Sequence, residues 1–290
     1  MGNVLHGWSI DVEDWFHILD ASGAPAPTSW DRQPARVAIG TRRMLDLLDR
    51  HRVRATFFTL GWIAQRHPDL VAEIADRGHE VGSHGHLHQL VHQQTRDAFA
   101  RDLDASLEAI GRATGRAVTS FRAPGFSIGD GETWALPVLA SRGITLDASF
   151  FLASHGHGGI VLRRERPFEL VLADGRRLLE VPTVPWRVAG RALPFAGGGY
   201  LRLLPPQVLR KAFSDFEARG LPVCAYLHPR ELDPEQPRMP LHWRRRFKYY
   251  VGLDTVAAKV DALMSEFRFG SLREMAGHRL DPPVHVGQPA

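Results

Sequence analysis

Short β-rich runs and amphipathic helical stretches alternate through the first half of the chain, and that alternation limits the fold more than any other feature. "VLHGWSIDVED" opens as an apolar run, a strand over about residues 4–10, and ends in carboxylates. "RVAIGTRRMLDLLDRH" places Val37, Ile39, Met44, Leu45, Leu47 and Leu48 at roughly helical spacing. "VRATFFTLGW" is a second strand, over about 53–59. "HPDLVAEIADRGH" is a helix with Pro68 in its first turn and Gly78 as its stop. A short strand running into a loop at "EVGSHGHLH", a long helix ending at Gly115, a strand at "VTSFRAPGF" with Pro124 and Gly125 at its end, a helix at "GETWALPVLASRG" and a strand at "ITLDASF" continue the series. A helix between each pair of strands implies parallel neighbours, because a parallel pair needs a long crossover. The predicted class is α/β, and the pattern itself leaves the strand number and the closure of a barrel open.

The second half is less regular. Residues 151–204 hold short β-like runs among many Gly and Pro turns, as expected of hairpins inserted into the frame. Within them, "AGGGYLRLLP" reads as a flexible loop over a groove or as a turn. Helical "PPQVLRKAFSDFEARG" precedes the strand "LPVCAYLHPREL", which ends at His228, and "GLDTVAAKVDALMSEF" is a last helix. One domain over 1–280 is expected, with about 230–280 as a C-terminal extension packed on it and 281–290 as a disordered tail.

The residues able to do chemistry fall where strands end: Asp11 and Glu13, then His84 to His88, then Arg122, Asp147 and His228. In a frame of β/α units those C-terminal strand ends share one face, where such folds place their sites. "SHGHLH" carries His84, His86 and His88. Histidines at i and i+4 can bind one metal from one turn, so His84 and His88 are the candidate pair and His86 the odd one out. A solvated histidine-rich loop is the other reading. A third ligand is offered by "DVED", as Asp11, Glu13 or Asp14, in what is otherwise a solvated acidic turn.

The net charge of +4 is mild, and no zinc-finger or RNA-recognition motif is present, so nucleic acid is not an expected partner. The single cysteine, Cys224, allows no intrachain disulfide and no thiolate zinc cluster. No run of about 18 apolar residues exists and the N-terminus carries no signal-peptide pattern. A cytoplasmic protein, peripheral to the inner membrane at most, is therefore expected.

"SIDVEDW", "ATFFTLGWIA", "GHEVGSHGHLH", "FRAPGFS" and "AYLHP", in that order from residue 9 to 229, resemble the NodB-type polysaccharide deacetylases, carbohydrate esterase family 4. The "DVEDW" start and "HPRELDPEQPRMPLHWRRRFKYYVGLD" look like the sub-branch tied to exopolysaccharide and exosortase gene clusters. The resemblance implies a distorted (β/α)7 barrel holding one divalent metal, with Zn²⁺ the default and Co²⁺, Ni²⁺ or Mn²⁺ compatible. The implied reaction removes N-acetyl groups from an acetylated amino-sugar polymer or a lipid-linked oligosaccharide precursor. Allantoinase-like or cyclic-imide hydrolysis on the same fold, or a non-catalytic glycan-binding relic, are the alternatives.

Carried over by motif, Asp11 is the catalytic base, His228 the general acid, and Arg122 the partner that keeps Asp11 charged. Glu13, His84 and His88 are the implied ligands, with Asp14 as the alternative to Glu13, because Val12 stands where the family usually has the second Asp. Gly85 stands where Ser or Thr is usual, so something else must shape that loop. Pro124, Phe126, Leu227 and Asp147 are the implied substrate-binding residues. Trp186 joins them as a candidate sugar-stacking side chain, with Trp15, Trp62 and Tyr200.

Overall fold

The computed structural model describes residues 4–19 and 23–286. Strands β1 (Leu5–Val12), β2 (Thr56–Thr59), β3 (Glu80–Ser83), β4 (Ser120–Phe121) and β5 (Leu146–Asp147) alternate with helices. These are α1 (Val37–His51), α2 (Gly61–Arg66), α3 (Pro68–Asp76), α4 (Arg96–Thr114) and α5 (Ala135–Ser141). The second half adds β6 (Phe168–Val171), β7 (Arg177–Glu180), β8 (Trp186–Val188), β9 (Arg191–Leu193), α6 (Gly198–Leu203), α7 (Pro206–Ala218) and β10 (Cys224–Leu227). Last come α8 (Trp243–Tyr250), α9 (Val256–Glu266), β11 (Arg268–Gly270), α10 (Leu272–Ala276) and β12 (Asp281–His285).

The main sheet runs β10-β1-β2-β3-β4-β5-β7-β6-β12, and β11 also pairs with β1. All of its pairings are parallel except β6 with β7. This is the α/β frame that the alternation predicts. Seven of the eight residues of β1 are buried, as a strand covered on both faces requires. The pairing does not close on itself among the described residues. The sheet nevertheless curls: Arg122, just after β4, hydrogen-bonds Ser9 and Asp11 of β1, three strands away, and its Nη2 lies 3.6 Å from Cys224 Sγ of β10. Helix α10 closes the end of the curl away from the site, where Leu272, Met275 and Ala276 pack with Phe58, Ala148 and Cys224.

Three segments differ from the sequence reading. The hairpin β6–β7 is not an ornament, because β7 pairs in parallel with β5 and so belongs to the main sheet. "GGGYLRLLP" contains helix α6 rather than an open loop. Residues 281–285 of the expected tail form strand β12 along β6, with Pro282 and Pro283 tolerated because β12 is an edge strand; residues 287–290 lie outside the described residues. The segment 230–280 supplies both α10 and β11, so it is woven into the sheet rather than laid over it.

Gly40 of α1 has a specific packing role. A Cβ there would stand 1.9 Å from the carbonyl oxygen of Pro229, so only glycine lets α1 press against the turn that follows His228.

Candidate metal and catalytic centre

Strand alternation determines which carboxylate does what. Ser9, Asp11 and Glu13 share one face of the β1 line, and Ile10, Val12 and Asp14 the other. Glu13 is buried at the sheet's mouth, with Oε1 3.2 Å from His84 Nε2, 2.9 Å from His88 Nε2 and 3.7 Å from His228 Nε2. Asp14 turns outward. Its Oδ2 accepts the Arg36 and Val37 N–H groups at the start of α1, and its Oδ1 accepts its own neighbour's, Trp15. An acceptor at a helix start satisfies donors that the helix leaves free. Asp14 is thus occupied by α1, and Glu13 is the carboxylate that meets the histidines.

His84 follows β3 directly, and its Nδ1 donates to the Arg122 carbonyl at 2.8 Å. That bond puts the proton on Nδ1 and turns the Nε2 lone pair toward Glu13, the arrangement that suits a metal-ligating imidazole. His88 reaches the same point from a left-handed backbone (φ 54°), and its buried Nε2 has no geometrically sound hydrogen bond among the described residues despite the 2.9 Å approach. Glu13, His84 and His88 each offer an atom within 4.8 Å of the others, and all three residues are buried. Two neutral imidazoles and one carboxylate fit a divalent cation, which would also satisfy the orphaned Nε2. Burial opposes charge on Glu13, yet His88, His228 and His84 hold its pKa well below the usual carboxylate range.

Asp11 lies on the same face. Its Oδ1 accepts Arg122 Nη1 at 2.8 Å. Arg122 is fully buried, and also donates to Ser9 Oγ and the Ala148 carbonyl. Its guanidinium carbon lies 4.5 Å from the Phe58 ring centroid and 5.1 Å from that of Phe126. His228, at the end of β10, completes the group. Burial pushes its pKa down to about 4 against the opposing Glu13 charge, so it is neutral at neutral pH. Asp11, Glu13, His84, His88 and His228 line one cavity of about 460 Å³.

Phe126 lines this cavity, but the other implied substrate residues do not. Pro124 and Leu227 are buried beside it. Trp186 packs into the core and its indole N–H donates to Asp215 Oδ2. Trp15 and Trp62 also lie off the cavity, whereas Tyr200 is on its wall. Asp147 is wholly buried inside the sheet, opposite Glu180 in the β5–β7 register.

Asp147 and Glu180 form a carboxyl pair. Asp147 Oδ1 accepts Ser149 Oγ–H and Glu180 Oε1 accepts Phe150 N–H, while Oδ2 and Oε2 have no other donor to meet. A shared proton satisfies both. Burial raises Asp147 to about 6, and burial together with the Asp147 charge raises Glu180 well above its ordinary value. Both folded-state pKa values lie above the unfolded ones, so the native state holds the extra proton and stability falls as pH rises through about 6. The expected result is a melting temperature that drops from about pH 5 to about pH 8 by more in the wild type than in Asp147→Asn. Equal slopes would show that the pair carries no shared proton.

Three further residues escape motif reading. Asp102 of α4 accepts the His86 and Leu87 N–H groups at 2.7 and 3.0 Å, and so shapes the "HGHLH" turn in place of the missing hydroxyl. Gly85 suits this doubly, since its φ is +75° and a Cβ would stand 3.0 Å from Asp102 Oδ2. Glu231 is buried three residues after His228, accepts the His228 N–H at 3.0 Å, and holds an oxygen 3.5 Å from His228 Nδ1. Buried Arg202 pairs with it. An i,i+3 Glu after a strand-end His is the sequence signal that could have found it. His17 Nδ1 accepts the Asp14 N–H at 2.9 Å, which leaves the proton on Nε2, buried, unpartnered among the described residues, in a ring 6.3 Å from that of His88.

Comparisons with known proteins bear on the frame that carries these residues. Residues 28–145 match the family model for polysaccharide deacetylases, and residues 148–277 match that of a domain of unknown function. A peptidoglycan-N-acetylglucosamine deacetylase of Bacillus cereus is 26% identical over 141 residues, 44% of this chain and 51% of that protein. A chitooligosaccharide deacetylase of Rhizobium leguminosarum bv. trifolii is 41% identical over 70 residues, 24% of this chain and 33% of the relative. The chain thus spans about half or less of the length of these relatives. Among solved structures, a Mycobacterium smegmatis protein assigned to the polysaccharide deacetylases superposes with a TM-score of 0.67 at 20% identity, covering 100% of this chain and 95% of the other. PuuE allantoinase superposes with a TM-score of 0.63 at 15% identity, covering 96% and 90%. At such identities the likeness is one of fold. His84, His88 and Arg122 lie in the first matched segment, His228 in the second, and Asp11 and Glu13 before both. Over residues 28–145, about two fifths of the chain, the sequence is similar to the polysaccharide deacetylase family.

Proposed function

We propose that this protein is a metal-dependent de-N-acetylase acting on the acetamido groups of a bacterial polysaccharide or its lipid-linked precursor. The observation that carries the reading is the meeting of Glu13, His84 and His88 with Asp11 and His228 in one cavity. That the relatives are named deacetylases of peptidoglycan and chitooligosaccharides supports the substrate class. The "DVEDW" start and the 228–254 segment support the finer reading, a step of exopolysaccharide assembly.

Glu13, His84 and His88 would hold the ion, with zinc the first choice for this donor set. When bound, the ion supplies a Lewis acid for the acetyl carbonyl and lowers the pKa of a water. Asp11 takes the proton of the attacking water through Oδ2, because Oδ1 is engaged by Arg122. Arg122 keeps that carboxylate ionised and fixed in direction. His228, neutral at rest and held from behind by Glu231, relays the proton that Asp11 took from the water to the departing sugar nitrogen, and acetate and a free amino sugar result. His17 Nε2–H is an additional donor beside the ligands.

The test is acetate release from N-acetylglucosamine oligomers before and after chelation, with zinc returned stepwise and allantoin as the control substrate. Activity should vanish with chelator and return with metal. Glu13→Gln should lose the response to metal, and Asp14→Asn should keep it. Chelator-insensitive turnover would overturn the metal reading, and turnover of allantoin alone would overturn the substrate.

A further inference from the structure

Helix α8, "WRRRFKYY", buries none of its residues. Trp243 and Phe247, one helical turn apart, are 66% and 58% exposed. Across the cavity rim, Leu203 of α6 is 52% exposed and Tyr200 41%. The two helices are tied together, since Arg202 Nη2 donates to the Lys248 carbonyl. Large apolar side chains exposed together around one cavity are unusual for a protein that meets only water.

The charges on this surface are equally unbalanced. No acidic residue occurs between Glu235 and Asp254. Arg244, Arg246 and Lys248 have no ion-pair partner among the described residues. By contrast, Arg66 is paired with Asp31, Arg142 with Asp104 and Arg219 with Glu165. Tyr200, Leu203, Phe247 and Lys248 also line the cavity that holds Asp11 and Glu13. Basic and apolar groups therefore project together from the rim of the site.

We infer that α8 and the exposed end of α6 form a docking surface for an anionic phospholipid bilayer, so that the cavity opens at the membrane surface. Aromatic and aliphatic side chains would enter the headgroup layer while unpaired cations meet lipid phosphates, as in short interfacial helices. Leu203 favours lipid over a glycan chain, because an aliphatic side chain offers a sugar ring no stacking face, and a neutral acetylated glycan leaves three cations without counter-charge. No helix among the described residues is long and apolar enough to cross a membrane, so the contact is peripheral. The inference stands on this surface alone and does not depend on the reaction proposed above.

The experiment is co-sedimentation of the whole chain with phosphatidylcholine vesicles, alone or mixed with phosphatidylglycerol, at rising salt. Binding is expected only to the phosphatidylglycerol vesicles, weakening as salt rises. A blue shift of indole emission should accompany it and be lost in Trp243→Phe. At about 5-fold per cation, Arg244→Glu with Arg246→Glu should weaken binding at least roughly 25-fold. Should that pair disturb folding, as read by the melting curve, Trp243→Ser with Leu203→Ser removes the apolar half of the same surface and should also abolish binding. Absence of binding to phosphatidylglycerol vesicles, retention in the folded variants, or tighter binding to soluble polygalacturonate would each overturn the inference.

Discussion

Asp11→Asn is expected to slow acetate release roughly a hundred- to ten-thousand-fold while metal still binds, as a competitive dye or isothermal titration would read. The argument turns on what the substitution leaves in place. Asn keeps the oxygen that accepts Arg122 Nη1, and Arg122 keeps Ser9 Oγ, the Ala148 carbonyl and the faces of Phe58 and Phe126. Glu13, His84 and His88 are untouched, so the ion's ligands survive. What disappears is the carboxylate placed, among the described residues, to accept a proton, since Glu13 is committed to the histidines, Asp14 to the start of α1, and Asp147 to Glu180. The loss should therefore fall on kcat with KM little changed. A variant within a few-fold of wild type would remove Asp11 from the role of base and move attention to His228.

How much of this was readable beforehand depends on how local each signal is. Alternating strands and helices are local patterns, and their translation into a parallel sheet with its chemistry at the C-terminal strand ends follows from connectivity. The ligand pair His84 and His88 is legible for the same reason, being four residues apart. The choice between Glu13 and Asp14 was legible in principle: period two along β1 groups Asp11 with Glu13 and sends Asp14 to the far side. That far side could not be seen, because the α1 donors that hold Asp14 come from residues 36 and 37.

The misses are long-range. Asp102 shapes the histidine turn from 16 residues away, and nothing in "ARDLDASL" marks one carboxylate among its neighbours. Asp147 stands at a strand end like the true site residues, yet β5 has only two residues, and Asp147 points into the sheet interior against Glu180 of a strand that joins after a hairpin. Trp186 is an aromatic in a Gly- and Pro-rich stretch, and only the docking of that stretch decides between core and groove. Pro282 and Pro283 read as tail residues because proline disfavours strands, and an edge position removes the objection.

Arg122→Met should cost about 3–5 kcal/mol of stability and lower the melting temperature by roughly 10 °C, read by calorimetry or circular dichroism. Methionine fills most of the arginine's volume, so the loss comes from charge and hydrogen bonds rather than from a void. The guanidinium is fully buried, and burial alone disfavours its charge; the Asp11 charge and hydrogen bond reverse that and raise its pKa. Without it, the Asp11 carboxylate is left in the interior with no counter-charge, Ser9 Oγ and the Ala148 carbonyl lose their donor, and β4 loses its tie to β1. The double variant Arg122→Met with Asp11→Asn separates these costs. Neutralising the orphaned carboxylate should recover about 1–3 kcal/mol, so the two substitutions together should destabilise by less than the sum of each alone. Strict additivity would mean that Arg122 acts only as a brace between strands, and that its pairing with Asp11 contributes nothing to holding the base in place.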